Sequence, residues 1–380
     1  MQMNFQLPTK IIFGSGVLSL LKEIIEKEFK ASRVFLVTDK GIMDSGIGNR
    51  VLSQLEGAHF FNDVEANPKS PTINKAGELV RRIKPDLVIG LGGGSALDAA
   101  KAIALLATNK GCIEDYEGKG KYETPPLPVL AIPTTCGTGS EVTWVSVITH
   151  PEQRFKMSIK GPAMFPSVAL VDPDLLISLP TPLIASTGMD ALTHAIEAYT
   201  VKAATDFSDV FAREALNHIF DTLRDAFENI KDNKEARERM MLGSTLAGVA
   251  FCNSDVGAVH CLAEAAGGLY DLPHGELNAI FLPQVMEFNL LVAKTRYSEI
   301  AELAGIREHD ENLASQELVQ KIKSMSRALN IPLFKDLGLE ESEFSELASR
   351  AFQNNSNPSN PREVKTEDYL TILKSALHGS

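Results

Sequence analysis

Cysteine is scarce in this chain of 380 residues, and neither charge sign forms a long block. The four cysteines, Cys112, Cys136, Cys252 and Cys261, show neither CxxC spacing nor the density of a disulfide framework. We therefore expect the protein to reside in a reducing cytoplasm. No Lys/Arg cluster accompanies the formal net charge of −12, so we expect no nucleic-acid partner.

Long apolar runs are also missing, and none reaches the length of a membrane span. The first residues, MQMNFQLPTKIIFGSG, lack the charged start and apolar core of a signal peptide. We therefore expect neither export nor a membrane partner. The composition, 44% hydrophobic and 23% charged, is typical of a folded globular protein, and the length favours two domains.

The first half of the chain alternates β-rich runs with helical patterns. Strands are predicted at 33–39, 86–94 and 129–135, with helices near 70–83 and from Ala96 to Ala107. This alternation predicts an α/β dinucleotide-binding domain over residues 1–180, with a Rossmann-like parallel sheet. After Pro180 the patterns are almost all helical, so residues 181–380 are predicted to form an all-α domain. We interpret the polar stretch QNNSNPSNPRE (353–363) as a connector before a last helix.

One carboxylate and three histidines follow the predicted boundary. Asp190 and His194 are four residues apart in a helical pattern, so both side chains leave one helix face. His260 lies in an Ala-rich helical stretch, and we expect the chain to turn at the 267–268 glycine pair and bring His274 back. Three imidazoles and a carboxylate suit Fe²⁺ or Zn²⁺ and leave a position for substrate. The alternative is that these are ordinary core or surface histidines.

A glycine loop follows the strand at 86–94 and opens the next helix. The loop, Gly92, Gly93, Gly94 and Ser95, can present backbone N–H groups to a phosphate at the positive helix end. Ser95 is predicted to cap the helix, with Asp98 in the capping-box position and not in contact with phosphate, since like charges repel. The alternative is a tight turn that needs glycine for steric reasons alone.

A second polar glycine loop, PTTCGTGSE, follows the strand at 129–135. It places four hydroxyl residues at the carboxyl edge of the predicted sheet: Thr134, Thr135, Thr138 and Ser140. Two such loops predict a dinucleotide. Asp39 ends the strand at 33–39, where a carboxylate can bind a ribose and repel a 2′-phosphate, so we expect NAD over NADP. GSGVLS (14–19) faintly matches GxGxxG, but we predict a hairpin turn there.

Four segments, GGGSALDAAKAIA, PTTCGTGSEVT, DALTHAIEAY and LPHGELNAIFLPQVMEFN, resemble the iron-containing (group III) alcohol dehydrogenases. The resemblance extends to the NPREVKTEDYLTIL tail and implies the dehydroquinate synthase-like fold, with an α/β domain and an all-helical metal-binding domain. It implies metal ligands at Asp190, His194, His260 and His274, and homo-oligomers are common in the family. It implies cofactor contacts from Asp39, Asn67, Gly94, Ser95, Thr134, Thr135, Thr138, Thr143 and Lys156.

Glu264 is a departure from the family pattern. Many members carry a second histidine four residues after the third ligand, near the nicotinamide, whereas this chain has Glu264. Glu264 lies one helical turn from His260. It could orient His260 through a hydrogen bond, move protons itself or merely fill space.

These features predict a metal-dependent dehydrogenase that transfers a hydride between a small primary alcohol or diol and NAD, with the metal as a Lewis acid. One alternative is a metal- and NAD-dependent lyase or cyclase of the dehydroquinate synthase kind. Such enzymes bind phosphorylated sugars and would require several Lys or Arg side chains near the metal ligands. The neighbours here include Phe251 and Tyr270, which favours a small, weakly charged substrate. Another alternative is a non-catalytic NAD- or metal-binding regulator, although structural zinc sites more often use cysteines.

Overall fold

The computed structural model describes residues 3–378. They form two compact units, one of Leu7–Leu179 and one of Pro180 onward with the residues before Leu7. None of the described helices is long and apolar enough to cross a bilayer.

The first unit is built on a parallel sheet of six strands in the order β1-β9-β6-β4-β2-β3, which confirms the predicted α/β architecture. A smaller sheet has the order β5-β8-β7, with β7 antiparallel to β8. The strands are β1 (Lys10–Phe13), β2 (Val34–Val37), β3 (His59–Phe61), β4 (Leu87–Gly92), β5 (Gly118–Lys119), β6 (Val129–Pro133), β7 (Val145–His150), β8 (Phe155–Lys160) and β9 (Val168–Val171). Its α-helices are α1 (Leu21–Ile24), α2 (Lys40–Asp44), α3 (Ile47–Leu52), α4 (Ser70–Ile83) and α5 (Gly94–Thr108).

Strands β2, β4 and β6 are buried along their whole length, as expected for a parallel sheet covered on both faces. The predicted hairpin at GSGVLS is wrong, because β1 runs parallel to β9 and the chain continues into a 3₁₀ helix, Val17–Leu20. Asp172 holds this turn by accepting hydrogen bonds from the backbone N–H groups of Gly16 and Leu18, both at 3.0 Å. The GSG segment is therefore fixed by a carboxylate at the end of β9.

The second unit is helical, as predicted. Its helices are α6 (Thr181–Thr200), α7 (Asp206–Asn229), α8 (Lys234–Cys252), α9 (Ala258–Tyr270), α10 (His274–Leu303), α11 (Glu311–Ala328), α12 (Phe344–Phe352) and α13 (Thr366–His378). Helix α6 packs against α7, α8 and α10 and is buried from Gly188 to Thr200. The turn predicted at the 267–268 glycine pair is wrong, because α9 runs through both glycines and ends at Tyr270, with Asp271 as its C-cap at a φ of +56°.

The residues just before Leu7 group with the helical unit, although sequence analysis assigned them to the first domain. Phe5 stacks on Phe211 with ring centroids 5.4 Å apart and lies 5.7 Å from Phe207. The Gln6 backbone N–H donates to the Asn253 side chain at 2.7 Å. Aromatic packing of this kind cannot be read from strand and helix periodicity.

Candidate metal centre and nucleotide-binding loops

Three predicted metal ligands converge inside the helical unit. Asp190 from α6, His260 from α9 and His274 from the first position of α10 each offer an atom, and these atoms lie within 4.8 Å of one another. Asp190 Oδ1 is 3.8 Å from His274 Nε2 and 4.0 Å from His260 Nε2. Ligand bonds of about 2.1 Å to one cation place donor atoms about 3.0–4.2 Å apart. The three residues therefore fit a divalent cation.

His194 lies beside this set. Its ring stacks on His260, with centroids 4.5 Å apart, and on Phe251, with centroids 4.3 Å apart. Among the described residues, His194 is not one of the three whose donor atoms converge. The stacking between two rings holds its imidazole plane roughly parallel to both neighbours.

The Asn278 side chain occupies the point on which the ligand atoms converge. Its Nδ2 donates to Asp190 Oδ1 at 2.6 Å and lies 3.1 Å from the Nε2 atoms of His260 and His274. Asn278 is fully buried, and its Oδ1 has no hydrogen-bond partner. The lone pairs of three residues are thus aimed at one electropositive position, which is the arrangement that a cation requires.

Glu197 is a functional residue that sequence analysis missed. Its Oε2 lies 2.5 Å from His260 Nδ1, and its Oε1 accepts a hydrogen bond from the Val259 backbone N–H at 2.9 Å. Of the three roles left open for Glu264, orientation of His260 is therefore wrong. Since Glu197 takes Nδ1 and Nε2 faces the ligand set, His260 has no nitrogen left for Glu264. Glu264 Oε2 instead accepts from Asn354 Nδ2 at 2.6 Å.

The electrostatics of the centre favour a charged carboxylate. Burial alone would raise the pKa of Asp190, but the three neighbouring imidazoles and the Asn278 amide bring that pKa below its ordinary value. Burial would likewise lower the pKa of His260, yet the hydrogen bond and charge of Glu197 raise it. Asp190 is thus held in the ionised form that binds cations.

Gly275 allows α10 to begin against α6. A Cβ at Gly275 would lie 2.4 Å from the backbone oxygen of Ser186 and 2.8 Å from its carbonyl carbon. Backbone atoms cannot move aside as the end of a long side chain can. The absence of a side chain at Gly275 therefore lets His274 approach Asp190.

In the α/β unit, the two predicted loops lie side by side because β4 pairs with β6. The Thr134 N–H donates to the Gly92 carbonyl at 3.0 Å. A Cβ at Gly93 would lie 3.1 Å from Thr135, and one at Gly94 would lie 2.6 Å from Thr138. The glycines are thus needed for close packing of the two loops, which confirms the steric interpretation, and phosphate binding stays a prediction.

Part of each loop is accessible to a ligand. Gly93, Gly94, Ser95, Thr135 and Thr138 are partly exposed. The helix α5 begins at Gly94 with Gly93 as its N-cap and no side-chain cap, so the predicted capping role of Ser95 is wrong. The first N–H groups of α5 lack partners within the helix and can bind an anion.

Asp98, on α5, connects the first glycine loop to the second through hydrogen bonds. Its carboxylate accepts hydrogen bonds from Ser140 Oγ at 2.6 Å and from the Val147 N–H at 2.9 Å, and it lies 3.2 Å from Lys101 Nζ. It therefore does not form the capping box that its spacing suggested. Thr143 is also buried, and its side-chain oxygen lies 3.3 Å from Lys101 Nζ.

Lys101 is a second residue that sequence analysis missed. Its side chain is fully buried, and Nζ donates to the backbone oxygens of Ser140, at 3.0 Å, and Val145. A buried ammonium group with these partners holds the second loop in place. The signal was its position, three residues after Asp98 and so on the same helix face.

Asp39 and the Asn67–Lys156 pair complete the predicted cofactor residues. Asp39 is the N-cap of α2, where Oδ1 accepts from the Ile42 N–H at 2.9 Å, and burial raises its pKa. A Cβ at Gly92 would lie 3.2 Å from Asp39 Oδ2, which places the carboxylate next to the glycine loop. Lys156 Nζ donates to Asn67 Oδ1 at 2.9 Å, joining residues 89 positions apart.

Both units match known families. Residues 8–173 match the profile described as iron-containing alcohol dehydrogenase, and residues 184–377 match the C-terminal part of the Fe-containing alcohol dehydrogenase family. The NAD-dependent methanol dehydrogenase of Bacillus methanolicus is 35% identical, over 98% of this chain and 100% of that protein.

Solved structures agree with these matches. A crystal structure of 1,3-propanediol oxidoreductase has a TM-score of 0.94 at 36% identity, covering 99% of this chain and 100% of that one. Sulfoacetaldehyde reductase from Bifidobacterium kashiwanohense, solved in complex with NAD⁺, has a TM-score of 0.90 at 32% identity and covers 100% of both chains. The resemblance described from the motifs is thereby confirmed.

Proposed function

Because the chain belongs to the iron-containing alcohol dehydrogenase family, we propose that it transfers a hydride between a small primary alcohol or diol and NAD, with iron as its metal. The observation that carries this proposal is the convergence of Asp190, His260 and His274 on one buried point. A single carboxylate among imidazoles leaves a bound divalent cation with net positive charge, which suits a Lewis acid that lowers the pKa of an alcohol.

The helical unit contributes the metal ligands. We propose that His194 completes the set of Asp190, His260 and His274, since its ring stacks directly on His260. Glu197 orients His260 by accepting from Nδ1, which leaves the Nε2 lone pair free for a cation. Phe251 stacks on His194, and this apolar side chain beside the proposed ligands favours a weakly charged substrate.

The α/β unit contributes the NAD site. Gly93, Gly94 and Ser95, at the N-terminus of α5, suit the pyrophosphate, and the partly exposed Thr135 and Thr138 suit adjacent polar groups. We propose that Asp98 and the buried residues Ser140 and Thr143 hold the second loop in shape, and that Thr134, Asn67 and Lys156 complete the site. Asp39 selects NAD, because a carboxylate accepts hydrogen bonds from a ribose and repels a 2′-phosphate.

Glu264 keeps two proposed roles, proton transfer and space filling. Replacing Glu264 with Gln keeps its size and its acceptor oxygen for Asn354 but removes the ionisable group. A pH–rate profile that changes supports proton transfer, whereas an unchanged profile eliminates it. Asn354→Ala is the matched control, because it removes the partner and leaves the carboxylate in place.

We also propose that the protein is a cytoplasmic homo-oligomer. Large apolar side chains such as Leu291, 77% exposed, and Val292, 54% exposed, support a contact with a second copy. The four cysteines are all free thiols, which supports a reducing compartment. Light scattering of the purified protein tests the assembly, and a monomer at all concentrations would refute it.

The test of the function is anaerobic NADH oxidation by the Fe²⁺-loaded protein with a panel of short aldehydes and hydroxy-aldehydes, and the same assay after chelation. Metal-dependent turnover is expected, and a Zn²⁺-loaded sample compares the two metals. Asp190→Ala should lose activity and metal together, so full activity in a metal-free Asp190→Ala protein would refute the ligand assignment. If the protein binds NAD but oxidises NADH with none of the aldehydes, the lyase alternative is favoured.

A further inference from the structure

Helix α9 carries His260 as its third residue, and the start of this helix is capped from a distance. The first N–H groups of a helix have no partner within it and are usually satisfied by the side chain of the N-cap residue. The N-cap of α9 is Gly257, which has no side chain. Asn360 Oδ1 accepts from the Ala258 N–H at 3.2 Å, and Glu197 Oε1 accepts from the Val259 N–H at 2.9 Å.

Gly257 is required by these remote caps. A Cβ there would lie 2.9 Å from Glu197 Oε1 and 3.1 Å from Asn360 Oδ1. A residue with its own capping side chain would therefore displace both oxygens. The two remote caps occupy the space that an ordinary N-cap side chain would need.

Asn360 is itself held rigidly. It is 1% exposed, and its Nδ2 donates to Asn289 Oδ1 at 2.8 Å and to the Arg362 carbonyl at 2.7 Å. Asn289 Nδ2 returns a hydrogen bond to Asn360 Oδ1 at 3.1 Å. This reciprocal amide pair connects the start of α9 to α10, the helix that carries His274.

The rest of the loop at 354–360 contacts the same region. Ser356 Oγ and Ser359 Oγ donate to the two carboxylate oxygens of Asp255, at 2.8 and 2.5 Å, just before α9 begins. Asn354 donates to Glu264, one turn beyond His260. The loop therefore holds α9 before, at and after its first turn, which is more than the connector that its composition suggested.

We propose that this loop, residues 354–360, is a clamp that positions His260 for metal binding, with Asn360 as its principal positioning residue. Glu197 joins the clamp to the imidazole, because one carboxylate oxygen binds the helix start and the other binds His260 Nδ1. Loss of the Asn360 cap releases the Ala258 N–H and loosens the first turn of α9. The His260 ring then no longer has one fixed position relative to Asp190 and His274.

The experiment measures Zn²⁺ affinity by chelator competition and the visible absorption of the Co²⁺-substituted protein, for the parent, Asn360→Ala and Asn233→Ala. Asn233 is the matched control, because its Oδ1 caps α8 by accepting from the Ala236 N–H at 3.0 Å and α8 carries no ligand. We expect Asn360→Ala to lower Zn²⁺ affinity about tenfold to a hundredfold and to shift the Co²⁺ spectrum. Asn233→Ala should lower the melting temperature by roughly 2–4 °C and leave both metal readouts unchanged.

The outcomes separate this proposal from the proposed function on which it rests. A parent that binds no divalent cation contradicts the metal site itself. A parent that binds, with an equally tight and spectrally identical Asn360→Ala protein, overturns the clamp, as does an equal loss in Asn233→Ala. If Asn360→Ala does not fold, the Ser356→Ala/Ser359→Ala double variant replaces it, since it removes only the hydroxyl contacts to Asp255; an unchanged affinity there also overturns the clamp.

Discussion

A methyl group at Gly275 is expected to damage the metal centre without touching a ligand. Its Cβ would lie 2.4 Å from the Ser186 backbone oxygen, whereas ordinary contact begins at 3.4 Å. The start of α10 must therefore move by about 1 Å, because overpacking against backbone is relieved only by backbone shifts. His274 is the adjacent residue and moves with it.

A shift of that size is large for a metal ligand, since ligand distances hold within about 0.2 Å. We expect Gly275→Ala to lower Zn²⁺ affinity about tenfold to a hundredfold, measured by chelator competition. We expect the free energy of unfolding of the metal-free protein to fall by about 1–3 kcal/mol, measured by urea denaturation.

Gly243→Ala is the control for general strain in the same helical unit. A Cβ at Gly243 would lie 3.0 Å from the Ile219 side chain and 3.2 Å from the His218 side chain, and both contacts are closer than ordinary van der Waals contact. Gly243 lies on α8 and the two side chains lie on α7, and neither helix carries a proposed metal ligand. This variant should lose stability and keep its metal affinity. Parent-like affinity in Gly275→Ala would refute the idea that the approach of α10 to α6 sets the position of His274.

Three further variants test the other residues that the structure brings together. Lys101→Met leaves buried carbonyl groups without their donor, and we expect an unfolding free energy lower by about 3–5 kcal/mol and a higher KM for NAD, with unchanged Zn²⁺ affinity. Asp39→Asn keeps the cap of α2 but removes the charge, and steady-state kinetics should show kcat/KM for NADPH relative to NADH rising roughly tenfold. Glu197→Gln places an amide N–H against His260 Nδ1, so chelator competition should show Zn²⁺ affinity falling about tenfold or more.

Local spacing was enough to predict the central strands β2, β4 and β6 and the helices α4 and α5, but not α1 to α3 or the small β5-β8-β7 sheet. The i, i+4 spacing of Asp190 and His194 indicated one helix, and β4, α4 and the onset of helices after Pro180 followed from periodicity. Helix ends were less predictable: α5 begins two residues before the predicted Ala96, with a glycine cap. Signals of this kind depend on neighbours a few residues away in the chain.

The partners of buried polar groups were not predictable in this way. One of the three roles left open for Glu264 was to orient His260, because it lies one turn away on the same helix. The actual partner, Glu197, is 63 residues away and meets His260 only when α6 and α9 pack together. Asp98 was similarly placed as a helix cap, whereas it binds Ser140 across the two loops. Each error substituted a sequence neighbour for a spatial one.

Helix α6 explains why these long-range contacts meet at one place. Asp190, His194 and Glu197 stand at positions i, i+4 and i+7, which share one face of a helix over two turns. Buried polar side chains are costly unless each finds a partner, and all three are at most 5% exposed. On that face α9 and α10 supply the partners, because His260 meets Glu197 and stacks on His194, and Asn278 donates to Asp190. The contacts that bury this face of α6 are therefore the same contacts that bring the candidate ligands Asp190, His260 and His274 together.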